Sequence, residues 1–236
     1  MSTHNVSLFY ALVGGKTVRI QEDGVGFWSP ATAPINWCER DYAVSVFVAE
    51  FWNTVTNAAY VGVGVCAWME FPRLPALRIA AACCVLTGLF SGLFHATLHV
   101  EHQRLDEIFE NGILVFLCHD NAVVASAHFA VVAAAILSIE SVRVCEIHLV
   151  SMIFFTIHRF LGIARHSPDA KRAIHTAALA TAAGFACWLV DRGGCHYVST
   201  PYLPYSLELH AWWHLCTAVA LHHGFRAIGR LKSKCD

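Results

Sequence analysis

Seven apolar stretches joined by short polar connections set the limits on this chain: roughly residues 44–68, 77–98, 105–119, 122–139, 143–164, 172–190 and 206–228. The hydrocarbon core of a bilayer, about 30 Å thick, is crossed by about 17 to 25 helical residues. The third and fourth stretches are short, and His119, Asp120 and Asn121 are the visible break between them. Fused, they would give roughly 35 residues, too long for one crossing at about 1.5 Å per residue. Seven spans are therefore expected rather than six. Composition agrees: of 236 residues, 56% are hydrophobic and 14% charged, where soluble domains carry about 25% charged. The expected fold class is all-α, a seven-transmembrane helical bundle, with residues 1–43 as an N-terminal segment, 44–228 as the bundle and 229–236 as a tail.

A net charge of −1 gives no footing for nucleic acid. The stretch SLFYALVGG is short and lacks a basic flank, so no cleavable signal peptide is expected. The cysteines in apolar runs (Cys66, Cys83, Cys84, Cys118, Cys187 and Cys216) read as small buried hydrophobes. Basic residues set the orientation. With an odd number of spans the two termini lie on opposite sides. The C-terminal side collects Arg73, Arg78, Arg165, Lys171, Arg172, Arg230, Lys232 and Lys234. The short loops on the other side hold Arg40, Arg104, Arg143 and Arg192. The N-terminus is thus expected in a lumen and the C-terminus in the cytoplasm. Cys38 and Cys195 fall on the luminal side, where an oxidising compartment permits a disulfide, although sequence does not establish that they meet.

Polar groups inside these stretches are costly and mark candidate functional residues. Ser91 and His95 lie in SGLFHATLH, Asp106 in QRLDEIFENGI, and His210 and His214 in LELHAWWHLC. His210 and His214 are four apart and share one helical face, as ligands on a helix must. Under the expected topology all five converge on one leaflet. Catalytic zinc takes three protein ligands and keeps a position for water. Asp106 could accept that water's proton, and Ser91, one turn before His95, could donate to a developing oxyanion. Spacing alone does not separate His95 from His99, which makes its own H-x-x-x-H, and His102, His222 and His223 are further distractors. His128, His148, His158 and His175 read as hydrogen-bonded packing. Ser91 taken alone would be a helix-packing serine, and Asp106 alone a helix N-terminal residue favoured by the dipole.

Three blocks carry a family resemblance: GFWSPATAPINWCERDYAVSVFVAEFWNTVTN at 26–57, SGLFHATLHVEHQRLDE at 91–107 and LHAWWH at 209–214. In that order, linked by seven apolar spans, they resemble the alkaline ceramidases, within the wider CREST group of seven-span membrane hydrolases that includes adiponectin-type receptors. The resemblance implies hydrolysis of ceramide to a sphingoid base and a fatty acid. It places zinc on His95, His210 and His214, the catalytic aspartate on Asp106 and the nearby serine on Ser91. It also implies a calcium site on Asn36, Trp37 (through its backbone carbonyl), Glu39, Asp41 and Glu50. Here the family's Asp stands as Asn36 and its Asn as Asp41, so the carboxylate count is unchanged, and calcium accepts amide and carboxylate oxygens alike. Apart from the resemblance, this block reads as an interfacial aromatic and acidic collar. The expected home is the endoplasmic reticulum or Golgi membrane. The other readings are another membrane lipid amide or ester hydrolase, or a receptor of the adiponectin type with structural zinc. A metal-independent transporter is disfavoured, because no substrate site is evident at the midplane.

Overall fold

The computed structural model describes residues 24–139, 142–166, 168–198 and 207–232. Every regular element there is a helix: α1 (Phe51–Thr56), α2 (Ala58–Glu70), α3 (Pro75–Thr97), α4 (Val100–Cys118), α5 (Ala122–Ser138), α6 (Val142–His166), α7 (Pro168–Val198) and α8 (Leu209–Lys232). Among the described residues three stretches are long and apolar enough to cross a membrane, Pro75–Thr97, Arg143–Ile163 and Ala170–Gly193, and Ala122–Ser138 is a shorter apolar helix. Large apolar side chains face outward on these helices, including Val131, Phe154, Phe155 and Leu179. An exposed apolar surface of that kind suits lipid rather than water.

The first expected span is interrupted. At Asn57 the backbone N–H bonds to Thr54 O, three residues back, at 3.3 Å, and the Asn57 side chain donates to Asn53 O at 2.8 Å. The tightened turn divides α1 from α2. The α2–α3 contact is backbone to backbone: a Cβ at Gly64 would lie 2.7 Å from Ala81 O, and one at Gly88 would lie 2.9 Å from Asn57 O. Small residues permit this approach in lipid, where helix association rests on packing rather than on the hydrophobic effect. Helices α2, α3 and α4 pack in succession, α7 pairs with α8, and α1 and α2 close the ring against α8. The main core lies in the half remote from the histidines, around Leu77, Ala81, Phe116, Ile174 and Phe225.

The break at 119–121 is as the sequence suggests. Asn121 Oδ1 accepts from Val123 N at 2.8 Å and from Val124 N at 3.2 Å, satisfying two of the donors a helix start leaves open. Replacing Asn121 by Ala is expected to cost about 1 kcal/mol. In a chain of this size that lowers the melting temperature by roughly 2–4 °C, measurable by thermal unfolding in detergent. An unchanged midpoint would contradict the cap. Beside it, Asp120 pairs with Arg159 at 2.7 Å and Lys232 at 2.9 Å. Burial pushes this carboxyl up, but the hydrogen bonds from Lys232 and Arg159 outweigh it and hold it below its usual range.

Two sequence readings of packing residues hold in part, the histidine one at His128 and His148, while His158 and His175 are exposed. His119 Nε2 meets His128 Nδ1 at 3.1 Å, His128 Nε2 meets His148 Nε2 at 3.1 Å, and His148 Nδ1 meets Asn111 Oδ1 at 2.6 Å. His128 and His148 are thus members of a hydrogen-bonded line between helices. The six cysteines read as buried hydrophobes are free thiols, but only Cys83, Cys84 and Cys118 are buried; Cys187 and Cys216 are half-buried and Cys66 is exposed.

Candidate metal centre and its cavity

The segment before α1 forms a collar over one end of the bundle. Leu98 ends α3 in the left-handed region, φ 53°, and its carbonyl accepts from Thr32 N and Ala33 N at 3.0 and 2.9 Å. Ala49 N and Glu50 N bond to Ala96 O and His95 O. These bonds fix residues 32–50 against the last turn of α3. The turn carries His95 inward, and the start of α8 carries His210 and His214.

The three imidazoles meet. One ring nitrogen from each of His95, His210 and His214 lies within 4.8 Å of the others, and all three residues are buried. Each ring is held from behind. His95 Nδ1 is 2.5 Å from Glu50 Oε2, and the buried His95 Nε2 has no hydrogen-bond partner. His214 Nδ1 is 3.0 Å from Thr56 Oγ1. His210 stacks on Trp37, with centroids 3.5 Å apart and planes at 16°, and its buried Nδ1 is also without a partner. A carboxylate on Nδ1–H leaves the Nε2 lone pair free, as a metal-binding histidine requires. Buried unpaired ring nitrogens converging on one point are unfavourable unless something joins them. The donor set fits zinc, whose His ligands sit at about 2.0–2.1 Å.

Ser91 and Asp106 line a cavity with His210 and His214. The other histidines stand apart. Because α3 stops at Leu98, His99 lies outside the helix in an extended conformation, and its Nε2 meets Trp28 O at 3.1 Å. His102 bonds Thr97 Oγ1 at 2.7 Å. His222 and His223 contact each other, three turns along α8.

The expected calcium residues lie in the collar, with Glu39, Asp41 and Glu50 buried. Glu39 caps α1, accepting from Trp52 N at 2.6 Å and Asn53 N at 2.8 Å. Glu50 accepts from Trp37 N at 3.2 Å and Asn53 Nδ2 at 3.1 Å. Burial pushes the Glu39 carboxyl up to about 8 against the two backbone hydrogen bonds, and the charges of Glu50 and Glu208 push the same way. Crowded buried carboxylates are the chemistry a hard dication offsets. Among the described residues, the histidine triad is the group of His, Cys, Asp or Glu side chains whose ligand atoms gather within 4.8 Å. Glu50 instead bridges the collar to His95.

Sequence reasoning missed two supports. Asp191 is buried and accepts from Cys38 N at 2.8 Å and His210 N at 3.0 Å, tying α7 to the collar and to the start of α8. Thr56 stands behind His214. A carboxylate near the end of an apolar stretch was a usable signal for Asp191; a threonine offers none. Cys38 is disulfide-bonded; the side chain of Cys195 lies outside the described residues.

An all-α chain with apolar helices and three buried histidines converging beside a cavity lined by Ser91 and Asp106 has the form of a membrane protein with a candidate metal site. The sequence matches the Ceramidase family over residues 29–234, and the chain belongs to that family. It is 28% identical over 221 residues to alkaline ceramidase 3 of Mus musculus, covering 84% of this chain and 83% of that protein. It is 28% identical over 213 residues to an alkaline ceramidase of Arabidopsis thaliana, covering 82% of each. With an alkaline ceramidase of Saccharomyces cerevisiae it shares 27% over 245 residues, 84% of this chain and 76% of that one.

Proposed function

We propose that this protein hydrolyses the amide bond of ceramide, releasing a sphingoid base and a free fatty acid, with zinc held by His95, His210 and His214. The observation that carries this reading is the convergence of three buried histidines beside the Asp106–Ser91 cavity, in a chain of the ceramidase family. Zinc in such a site supplies a Lewis acid and brings a water's pKa to about 7. The protein's own groups do the rest. Asp106 takes a proton from the attacking water and returns it to the leaving amine nitrogen. Ser91 orients the Asp106 carboxylate and turns its hydroxyl toward the substrate carbonyl oxygen as charge builds there. Glu50 and Thr56 hold the rings of His95 and His214 in the tautomer that faces the cavity.

The proposal includes seven crossings, with α1 and α2 together forming the first, the N-terminus luminal and the C-terminus cytoplasmic, in the endoplasmic reticulum or Golgi membrane. The disulfide at Cys38 supports an oxidising compartment on the collar side.

Purified protein tests the reaction directly. Asp106→Asn keeps the shape of the cavity but removes the proton acceptor. It is expected to retain bound zinc and to lose about 10²–10⁴ in turnover, the range for general acid–base catalysis. Turnover close to wild type would overturn the assignment of Asp106.

Calcium at the collar is the second part of the proposal, held by oxygens of Asn36, Trp37, Glu39, Asp41 and Glu50. A ligand at a hundred times its Kd stabilises the folded state by about 2.7 kcal/mol, which corresponds to roughly 5–10 °C in a chain of this size. A calcium-selective chelator should therefore lower both melting temperature and activity without removing zinc. Unchanged melting and full activity would leave the collar purely structural.

A further inference from the structure

The three histidines of the centre are not supported alike. His95 Nδ1 meets Glu50 and His214 Nδ1 meets Thr56, so each of these rings is oriented by a hydrogen bond. His210 Nδ1 is buried without a partner. That ring is placed by other means: its face lies on Trp37, and its main chain is held from α7.

The main-chain hold is Asp191. This carboxylate is 2% exposed and divides its oxygens between two segments far apart in sequence. Oδ1 accepts from Cys38 N at 2.8 Å and Oδ2 from His210 N at 3.0 Å. His210 is the second residue of α8, so its N–H is one of the donors that a helix start leaves open. Glu208, at φ 46°, turns the chain left-handed just before that helix. The first turn of α8 is thus capped across the fold, by a charge of the sign the helix dipole favours there.

Cys38 follows Trp37 directly. One side chain therefore grips the two backbones whose rings stack beside it, 3.5 Å apart and 16° from parallel. Offset stacking admits a range of ring positions and would let the imidazole slide; fixing both main chains removes that freedom. Trp188, three residues before Asp191 and on the same face of α7, packs on Trp37 and on Trp213 with centroids 6.2 and 6.4 Å apart. Helix α7 thus braces the indole as well.

We propose that Asp191 is a positioning residue of the metal centre. By joining Cys38 N to His210 N it sets the Trp37–His210 stack, and the stack aims His210 as a ligand in place of the ring hydrogen bond that His95 and His214 have. The proposal rests on the three-histidine metal reading and adds to it the residue that orients the third ligand. Asp191 acts through His210 and takes no part in the chemistry.

The test uses full-length protein in detergent, loaded with zinc or with cobalt(II), whose visible bands report the geometry of a nitrogen site. Asp191→Asn keeps the volume but turns an NH2 group toward one of the two N–H donors. It is expected to weaken zinc binding about 10- to 100-fold against a competing chelator, the range for losing an orienting partner, and to shift the cobalt bands. Asn121→Ala, destabilised beyond the far end of α4, should keep both at wild-type values. A like change in Asn121→Ala would make the effect one of stability and overturn the proposal. Trp37→Leu leaves the two main-chain bonds in place and removes the stacking face. It should weaken zinc and shift the bands in the same way, and it decides the matter if Asp191→Asn does not assemble. Wild-type zinc affinity with wild-type bands in either variant overturns the proposal, even where the melting temperature falls. Wild-type protein that takes up neither metal defeats the metal-centre reading itself, and the proposal falls with it.

Discussion

A His214→Ala protein should purify with little zinc and show almost no ceramide hydrolysis. His214 sits in the first turns of α8, buried, with its second nitrogen held by Thr56. Removing it leaves two ligands where catalytic zinc ordinarily has three. Lewis-acid stabilisation is worth several kcal/mol, so the loss of turnover should reach about 10³-fold or more. His99→Ala is the matched control. His99 also stands four residues from His95 but bonds Trp28 O outside the centre, and its replacement should retain metal and activity. Metal analysis beside a fatty-acid release assay reads both. If His214→Ala keeps a full equivalent of zinc, the centre has been assigned to the wrong side chains.

The contrast between His95 and His99 shows where sequence reasoning stops. On an unbroken helix the two share a face, and spacing alone leaves them equivalent. Leu98 turns left-handed and ends α3 between them, so only His95 belongs to the helix that points inward. Nothing in the residue type of Leu98 announces that. His210 and His214 were legible because α8 runs through both without interruption. The break at 119–121 was legible because Asn121 is a strong cap. The break at Asn57 was not, because its cause is a buried side-chain bond within an apolar run.

Span-by-span legibility follows the same logic. Helix α4 falls outside the helices apolar enough to cross, because it carries Arg104, Asp106, Glu107 and Glu110. Three of these four charged residues, Asp106, Glu107 and Glu110, line the cavity. A sequence rule failing at a functional site is the expected pattern. Contacts such as Glu50 with His95, 45 residues apart, or Asp191 with Cys38, 153 residues apart, depend on tertiary packing that no local pattern encodes.

Glu50→Ala is expected to damage the protein in two measurable ways. The residue is fully buried, and its carboxylate meets His95 Nδ1, Trp37 N and Asn53 Nδ2. Truncation strands three polar groups in the interior at once. Breaking a buried charged pair in this way costs about 3–5 kcal/mol, a large part of a typical folding free energy. It also frees the His95 ring to rotate, and losing a partner of this kind ordinarily weakens metal binding about 10- to 100-fold. Glu50→Gln separates the two effects, since it fills the same space with a weaker acceptor. If Glu50 acts through His95, Glu50→Gln should lower zinc affinity while Glu39→Gln, elsewhere in the collar, should not. If it acts only by holding calcium, both substitutions should leave zinc affinity alone and lower thermal stability to a similar degree. A zinc titration against a competing chelator decides between them, and wild-type affinity in Glu50→Gln would mean that the 2.5 Å bond to His95 does not position the metal ligand.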